Sequence, residues 1–251
     1  MSLPQLNQQT PVPKRNSKFL RVHSIFRTIQ GEGPHTGRRS VFIRLYGCNL
    51  QCPMCDTDYT SKTEWEGHAS YFPDYLAAEW KSSLYVITGG EPLLQADALS
   101  WFFENVFFDT RFQERGHPPI FQIETNGTIA PPPEWGYDLG TIQIVVSPKT
   151  KTLAQGPSSY GPSPYSWVDN YKYVMSADSV CPNDGLPTSV LGRNIRPFRP
   201  PDTVAPDSVF LQPEDSGNPV KNQENIRACV ESCMKYGYRL QLQIQKICNI
   251  D

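Results

Sequence analysis

Three cysteines stand close together in one short stretch of the chain. Cys48, Cys52 and Cys55 follow a Cys-x-x-x-Cys-x-x-Cys spacing within residues 47–57. Three thiolates on one loop can hold three irons of a cubane iron–sulfur cluster, because thiolate is the usual ligand of such clusters. The fourth iron then has no protein ligand and is open to chelate a small molecule. The spacing therefore predicts a three-cysteine cluster site.

A structural zinc site is the alternative reading of the same cysteines. Zinc prefers four protein ligands, typically in two pairs. No second Cys-x-x-Cys pair or His pair follows at a suitable distance, so the spacing favours a cluster.

The other cysteines give no second framework. The chain has seven cysteines, an odd number, which argues against a set of disulfides and favours a reducing, cytoplasmic compartment. Cys229 and Cys233 recur with Ile226, Val230 and Met234 at helical spacing. Ligands of a second cluster are possible there, but a free cysteine is usually a small buried hydrophobe, and we predict one buried stripe.

The elements around these residues read as an α/β domain. A polar, glycine-containing stretch follows almost every predicted strand, and in parallel α/β folds such ends lie on one rim and build the site. Strands are predicted at 19–27, 40–46, 84–87, 119–123, 141–146, 171–175, 208–211 and 239–245. Helices are predicted at 74–82, 93–107 and 223–236. The rim stretches are 47–57, 88–91, 124–127, 147–149 and 212–215.

Domain organisation follows from composition. Residues 1–18 are rich in Pro and Gln and read as a disordered tail, and 19–251 as a single domain. Residues 156–169 and 178–206 are rich in Pro, Ser and Gly and too long for ordinary connections, so they read as irregular insertions.

Charge and hydropathy restrict the partners. In 251 residues the formal net charge is −2 and charged residues make up 19%, which argues against nucleic acid and suggests a small-molecule ligand. No apolar run approaches the length of a membrane helix.

Five motifs together resemble one known family. The cysteine spacing and Thr88-Gly89-Gly90-Glu91-Pro92 resemble the radical S-adenosylmethionine (SAM) superfamily. Gln30-Gly31-Glu32-Gly33, Cys55-Asp56-Thr57 and Ser147-Pro148-Lys149 narrow the match. The set is similar to the 7-carboxy-7-deazaguanine synthase family of the queuosine pathway. The resemblance runs from about residue 26 to the C-terminus, with a gap near 176–206.

The resemblance implies a fold and a chemistry. It implies a reduced, partly open (β/α) barrel, in agreement with the shortage of predicted helices. It implies a 4Fe-4S cluster that binds SAM and yields a 5′-deoxyadenosyl radical. That radical would remove the hydrogen at C6 of 6-carboxy-5,6,7,8-tetrahydropterin; the ring would contract, ammonia would leave, and the hydrogen would return to regenerate SAM. The family also implies an electron donor such as flavodoxin or ferredoxin, and a homodimer.

The resemblance also assigns residues to roles. The cluster ligands would be Cys48, Cys52 and Cys55, and Thr57 would touch Mg²⁺. SAM would lie against Met54, Cys55, Asp56, Gly90, Glu91, Ser147, Pro148, Lys149, Gln212, Pro213, Glu214 and Asp215. Substrate contacts would be Ile29, Gln30, Gly31, Glu32, Arg44, Thr88, Glu124 and Asp251.

Two of these positions depend on local sequence. Arg44 interrupts an otherwise apolar strand, so it must face solvent or an anion, and the substrate carboxylate supplies that anion. The predicted last strand leaves only six residues after it, so Asp251 and its α-carboxylate are expected near the substrate. Gln245 stands where some relatives carry histidine, and Asp251 where some end in proline.

Two other functions share part of this pattern. A glycyl-radical activase would have the cysteines and Gly89-Gly90-Glu91 but no need of the 30–33 loop or Arg44. A non-catalytic iron–sulfur or zinc module would need only the cysteines. Turnover of the pterin separates the first from a synthase, and metal analysis with SAM cleavage separates the second.

Overall fold

One nine-stranded sheet organises the computed structural model, which describes residues 8–14, 17–113, 117–137 and 141–250. Its spatial order is β3-β1-β2-β4-β5-β6-β7-β8-β9. The strands are β1 (Phe19–Ile29), β2 (Arg39–Leu45), β3 (Trp65–His68), β4 (Leu84–Gly89), β5 (Ile120–Thr125), β6 (Ile142–Val146), β7 (Asn170–Met175), β8 (Val209–Pro213) and β9 (Arg239–Leu240).

Four α-helices accompany the sheet in the described part of the chain. They are α1 (Phe72–Glu79), α2 (Ala96–Phe107), α3 (Pro219–Tyr236) and α4 (Ile244–Cys248). Asn218 is the N-cap of helix α3, and its side chain accepts from the Val220 and Lys221 amides. It ends at Gly237, which has the left-handed conformation (φ 80°) that a C-cap glycine adopts without strain.

Strand direction places one set of ends together. Strand β1 is antiparallel to β2 and β3, whereas all pairs from β2 to β9 are parallel. The sheet ends at β3 and β9, and no backbone pairing joins those two strands in the ranges described. The expected α/β architecture, a reduced and partly open (β/α) barrel with few helices, is confirmed. The carboxyl ends of β2 and β4–β9 form one rim.

The apolar core lies on the convex face of the sheet. Ile43, Ile87, Ile123 and Ile144 are paired in register across four neighbouring strands, and all are buried in the core. Phe102 and Phe103 of α2 belong to the same core, along with apolar side chains from β1, β7 and β8. Burying each such side chain contributes roughly 1.5–3 kcal/mol, so this face carries the stability of the fold.

Polar side chains recur at the alternate positions of the same strands, among apolar ones such as Val86 and Val145. Arg44 pairs with Thr88, and Gln122 pairs with Gln143. Side chains alternate between the two faces of a strand, so these residues and their neighbours line the concave face. The interior of the barrel therefore carries polar groups together with apolar side chains, whereas the face beneath the helices is apolar.

One strand was missed, and one predicted strand was wrong in its extent. Residues 65–68 form β3, a short edge strand that their mixed polar and aromatic composition did not indicate. The strand predicted at 239–245 ends at Leu240, and α4 begins four residues later. The glutamine side chains of this segment bond across the cleft instead of alternating along a ladder, as described below.

The predicted stripe of α3 was also partly wrong. Cys229 is fully buried in the core, but Val230 and Met234 are exposed. Asn225 and Ser232 are buried in their place. The Asn225 side chain accepts from the Ala177 amide and donates to the Glu214 carbonyl at 2.8 Å each, and these two bonds fix which face of the helix turns inward.

The segments predicted as insertions are irregular and hold only short helical turns and isolated bridges. The division into a tail and one domain stays a prediction. Part of the expected tail, residues 8–14, is bonded to the cysteine loop. No helix among the described residues is long and apolar enough to cross a membrane.

Candidate active site

The cysteine loop follows β2 directly, at the rim. Cys48 and Cys52 are buried and Cys55 is half-buried, and all three are free thiols. The Leu50 amide points at the Cys48 sulfur, 3.4 Å away. Such amide–sulfur bonds surround iron–sulfur clusters and help set their potential.

Two glycines at the end of β4, Gly89 and Gly90, make room for this loop. A Cβ on Gly90 would lie 1.9 Å from the Gly47 carbonyl oxygen, and one on Gly89 2.3 Å from the Leu45 carbonyl oxygen. The Glu91 amide donates to the Gly47 carbonyl at 2.9 Å. The Gly-Gly-Glu turn therefore packs backbone to backbone against the start of the cysteine loop, which is why side chains are excluded there.

Glu91 ties that turn to the next rim loop. Its carboxylate is completely buried and accepts from the Leu93 amide (2.9 Å), the Thr125 hydroxyl (2.7 Å) and the Asn126 amide (2.7 Å). Burial raises the pKa of Glu91 to about 7, and the three hydrogen bonds oppose that rise. The predicted contact of Glu91 with SAM stays a prediction, since this carboxylate already serves as a connector.

Ser147, Pro148 and Lys149 follow β6 and face the cysteine loop. The Lys149 ammonium donates to the Ser147 hydroxyl at 2.6 Å. Burial and the ammonium of Lys172 lower the pKa of Lys149 to about 8, and the side chains of Cys52, Asp56 and Cys55 oppose this. The structure thus brings these predicted SAM contacts near the cysteines.

The predicted substrate residues on strands stand side by side. Arg44 of β2 is paired with Thr88 of β4, and Glu124 lies on the adjacent β5, one position beyond the Ile87–Ile123 pair. The Arg44 guanidinium lies 5.0 Å from the centre of the Phe26 ring. None of the ion pairs found in the described part of the chain involves Arg44, so its charge is available to an anionic ligand.

Lys172 joins two of the predicted substrate residues. Its ammonium lies 2.9 Å from Glu32 Oε2 and 2.7 Å from Glu124 Oε2. The three side chains are only 11–17% exposed. Lys172 comes from β7, so this trio spans the concave face from the loop after β1 to the far strands.

Mutual attraction keeps the trio charged. Burial alone would raise the pKa of Glu32, but the Lys172 ammonium and the Gln243 and Gln245 amides lower it to about 2. Burial alone would lower the pKa of Lys172, but Glu124 and Glu32 raise it far above its usual range. The carboxylate of Glu32 and the ammonium of Lys172 are therefore both ionised at neutral pH.

Glutamines after β9 close the cleft between the first and last strands. Gln243 and Gln245 donate to Glu32 Oε1 at 2.9 and 3.0 Å. Gln241 accepts from the Gly33 amide at 2.6 Å and donates to Gln212 at 2.7 Å. Side chains thus connect elements that share no backbone ladder.

The loop after β1 supplies its predicted residues to this cleft. Ile29 is the last residue of β1, and the buried Gln30 accepts from the Glu32 amide at 3.1 Å. Gly31 lies against the Gln245 amide, whose oxygen would sit 1.7 Å from an added Cβ. The loop conformation therefore depends on the C-terminal segment.

The last four predicted SAM contacts lie at the end of β8 and directly after it. Gln212 and Pro213 end the strand, and Gln212 faces the cleft. Glu214 donates its amide to the Met175 carbonyl, and Asp215 pairs with Lys246 at 2.8 Å near the start of α3. Asp251, predicted as a substrate contact, lies outside the described residues.

Two outer segments hold the cysteine loop. Gln9 donates to the Thr57 carbonyl (3.0 Å) and accepts from the Tyr59 amide (2.9 Å), and the Val12 amide donates to the Cys48 carbonyl (2.7 Å). We call residues 8–14 the N-terminal strap. From the other side the Met54 amide donates to the Leu191 carbonyl at 3.3 Å.

Thr57 and Asp56 are close to each other at the end of this loop. The Thr57 hydroxyl donates to Asp56 Oδ1 at 3.2 Å and is partly exposed. A neutral oxygen beside a carboxylate is a donor set that Mg²⁺ accepts.

Sequence reasoning missed several residues of the site. Lys172 alternates with apolar neighbours and gives no signal of which face it takes. Asn49 accepts from Asn126 at 3.0 Å and donates to Thr128 at 2.7 Å, which ties the cysteine loop to the rim after β5. The alternating Gln241, Gln243 and Gln245 were the only available signal of a polar cleft, and they were read as a strand.

The thiols fit a cluster by their chemistry. Within the described ranges no three His, Cys, Asp or Glu side chains are arranged closely enough to hold a metal ion. The three cysteines nevertheless share one loop, are unbridged, and stand beside a donor to sulfur. Burial raises the pKa of Cys48 to about 12, so its thiol holds a proton that iron binding would displace.

Comparisons with known proteins extend along the chain. It is 38% identical over 248 residues to the 7-carboxy-7-deazaguanine synthase of Rhodospirillum rubrum, with 94% of each chain covered. It is 30% identical to that of Rickettsia prowazekii, with 92% and 89% covered. The crystal structure of QueE from Escherichia coli superposes with a TM-score of 0.57 at 19% identity, covering 90% of this chain and 95% of the other. No family model matches.

The fold and the site define the class first. A partly open α/β barrel with three cysteines on the loop after an early strand is the arrangement of a radical SAM enzyme. Within that class, the similarity over nearly the whole length shows that the chain belongs to the 7-carboxy-7-deazaguanine synthase family.

Proposed function

We propose that this chain converts 6-carboxy-5,6,7,8-tetrahydropterin into 7-carboxy-7-deazaguanine with release of ammonia. The observation that carries the proposal is the concave face, where Arg44, Thr88 and Glu124 stand on three adjacent strands below the cysteine loop. A cationic group next to hydrogen-bond acceptors suits a ring that carries a carboxylate and several N–H donors. Membership of the family supports the same reaction.

The cofactor side of the proposal uses the rim loops. Cys48, Cys52 and Cys55 would hold a 4Fe-4S cluster. SAM would lie against Met54, Asp56, the Gly90–Glu91 turn, 147–149 and 212–215. When bound, the cluster and SAM supply a 5′-deoxyadenosyl radical, and the protein orients the substrate and excludes water from it.

The chain's own residues would position the substrate. Arg44 would bind the carboxylate, with Mg²⁺ at Thr57 neutralising further charge. Thr88 and the 29–32 loop would contact the ring, and Asp251 would be a further substrate contact. The Thr57 hydroxyl would exchange its bond to Asp56 for the metal ion.

The partners of the enzyme are part of the proposal. An electron donor such as flavodoxin or ferredoxin would reduce the cluster, and the chain would act as a homodimer. A reducing, cytoplasmic compartment suits seven cysteines without a disulfide among those described.

The decisive experiment is turnover by the reconstituted, reduced enzyme without oxygen. With SAM and the pterin, product should appear by mass spectrometry together with ammonia. Cys52→Ala should remove both product and SAM cleavage. Cys229→Ala is the matched control, because Cys229 is buried in the core on α3, and it should keep turnover at a small cost in stability.

Other outcomes would point to the alternatives. SAM cleavage without pterin turnover would indicate another small radical SAM enzyme, such as a glycyl-radical activase. Bound iron without SAM cleavage would indicate a non-catalytic module. Either result contradicts the proposal.

A further inference from the structure

Glu32 and Glu124 differ in how many acceptor sites remain. A carboxylate offers about four lone-pair sites. In the described part of the chain Glu32 receives Lys172, Gln243 and Gln245 within 3.0 Å and Gln241 at 3.5 Å. Glu124 receives only Lys172 and Gln122. Glu32 is therefore saturated, whereas Glu124 can still accept from a ligand.

Lys172 has a donor to spare beside that acceptor. An ammonium carries three N–H donors, and two are directed at Glu32 and Glu124. No other acceptor for Lys172 is found among the described residues. The Glu124 carboxylate, which has open lone pairs, thus lies 2.7 Å from the Lys172 Nζ atom, and that ammonium still has one N–H available to a ligand.

This pair complements one edge of a pterin. The 2-amino-4-oxo edge presents two donors, the 2-amino group and N3–H, followed by one acceptor, O4. Glu124 can accept from both donors, and Lys172 can donate to O4. A 4-amino ring would instead place a donor against the ammonium and would lack the N3–H donor for Glu124. A buried polar group left without its partner is costly.

We propose that Lys172 binds O4 and thereby favours a 4-oxo over a 4-amino pteridine, with Glu124 as the carboxylate that binds the ring donors. The carboxylate of Glu32 then serves to hold Lys172 in place. This inference rests on the proposed function, because it takes the pterin as the ligand of the concave face.

Binding of two stable ligands tests the inference. The reconstituted enzyme with SAM is titrated without oxygen with 6-carboxypterin and with 2,4-diaminopteridine-6-carboxylate, using pteridine fluorescence. A buffer near neutral pH keeps both rings uncharged and retains the N3–H of the 4-oxo ring. The wild type should prefer the 4-oxo ligand by about 10- to 100-fold, the range expected when one buried polar group is left unpaired.

A charge-balanced double variant removes the N–H donor of Lys172. Lys172→Met with Glu32→Gln keeps the net charge of the trio at −1 and avoids two facing carboxylates without a cation. Its preference for the 4-oxo ligand should be about tenfold smaller than in the wild type, because the donor to O4 is missing while the N3–H bond to Glu124 remains. Glu124→Gln should weaken binding of the 4-oxo ligand by about tenfold or more. Circular dichroism checks that each variant is folded.

The outcomes separate the two levels of the claim. An unchanged preference in the double variant, or no preference in a wild type that turns over the pterin, overturns the role of Lys172 and leaves the proposed function intact. A wild type that binds neither ligand and turns over no pterin overturns the proposed function itself.

Discussion

Glu91 joins two rim loops through a carboxylate that has no contact with solvent. Its motif predicts that Glu91 contacts SAM. In the structure its carboxylate also fixes the ends of β4 and β5 relative to each other. A buried carboxylate favours its neutral form, so this role has a signature in pH.

The stability of the protein should depend on the protonation of Glu91. Its folded pKa of about 7 lies above the ordinary value of 4.5, so the folded state binds the proton more tightly. The contribution is fully present below about pH 4.5 and is lost as pH rises to about 7, with a total of about 3 kcal/mol. Urea unfolding of the cluster-free protein across this range measures it.

Two substitutions sharpen that measurement. Glu91→Gln should abolish this part of the pH dependence, while Glu231→Gln, at an exposed position of α3, should retain it. A wild-type slope in Glu91→Gln would show that other groups produce the dependence.

Residue identity was predictable where chemistry is local. The cysteines, Glu91 and Arg44 stood out because their type and spacing are unusual for their surroundings. Lys172 did not, because a lysine in a strand ordinarily faces solvent. The three-dimensional arrangement of the strands directs Lys172 towards Glu32 and Glu124 instead.

At the scale of elements, the cysteine loop is held from both sides by segments outside the sheet. The N-terminal strap bonds the loop at Cys48 and Thr57, and the 190–193 turn bonds it at Met54. Leu191 has φ 46° and Gly192 φ 76°. A leucine in this region is strained, so the contact of the turn with the loop maintains an unfavourable backbone.

Gln9 should protect the end of the cysteine loop from exchange with solvent. Gln9→Ala removes the acceptor of the Tyr59 amide and the donor to the Thr57 carbonyl, so the amides of residues 57–60 should exchange about tenfold faster, as expected for the loss of about one hydrogen bond. Hydrogen–deuterium exchange of the cluster-free protein by mass spectrometry measures this.

Neighbouring variants test the assignment to Gln9. Gln8→Ala changes an exposed side chain and should leave exchange unaltered. Gln9→Glu keeps an acceptor for Tyr59 but loses the N–H donor, so it should preserve the Tyr59 amide and loosen Thr57. Equal exchange in wild type and Gln9→Ala would contradict the role of the strap.

Element boundaries were predictable where the apolar period was strong. Strands β4 to β8 were located because buried apolar residues end at polar, glycine-rich turns. Helix α3 was located, but its inward face was set by the bonds of Asn225 to Ala177 and Glu214, which depend on residues distant in sequence. The prediction of one strand over 239–245 failed for the same reason, because the glutamines of this segment bond to residues distant in sequence.

At the scale of the whole molecule, the sheet remains open between its ends and side chains span the gap. Gln241 links the loop after β1 to β8 by accepting from Gly33 and donating to Gln212. It is 3% exposed, so no solvent replaces these bonds when they are lost.

Gln241→Ala should therefore destabilise the protein by about 2 kcal/mol or more, because it leaves the Gly33 amide and the Gln212 oxygen unpaired. Urea unfolding gives the value. Gln223→Ala, on the exposed side of α3, should be neutral within about 0.5 kcal/mol. If the two variants were equally stable, the cleft would be held by something other than Gln241.

The division of the sheet into an apolar face and a face that carries polar groups has a consequence for substitutions. The convex residues form the core, whereas Gln122, Gln143 and Lys172 lie on the concave face. Because the two sets alternate along the same strands, substitutions at the inner positions can alter the lining of the cavity without removing a side chain of the apolar core.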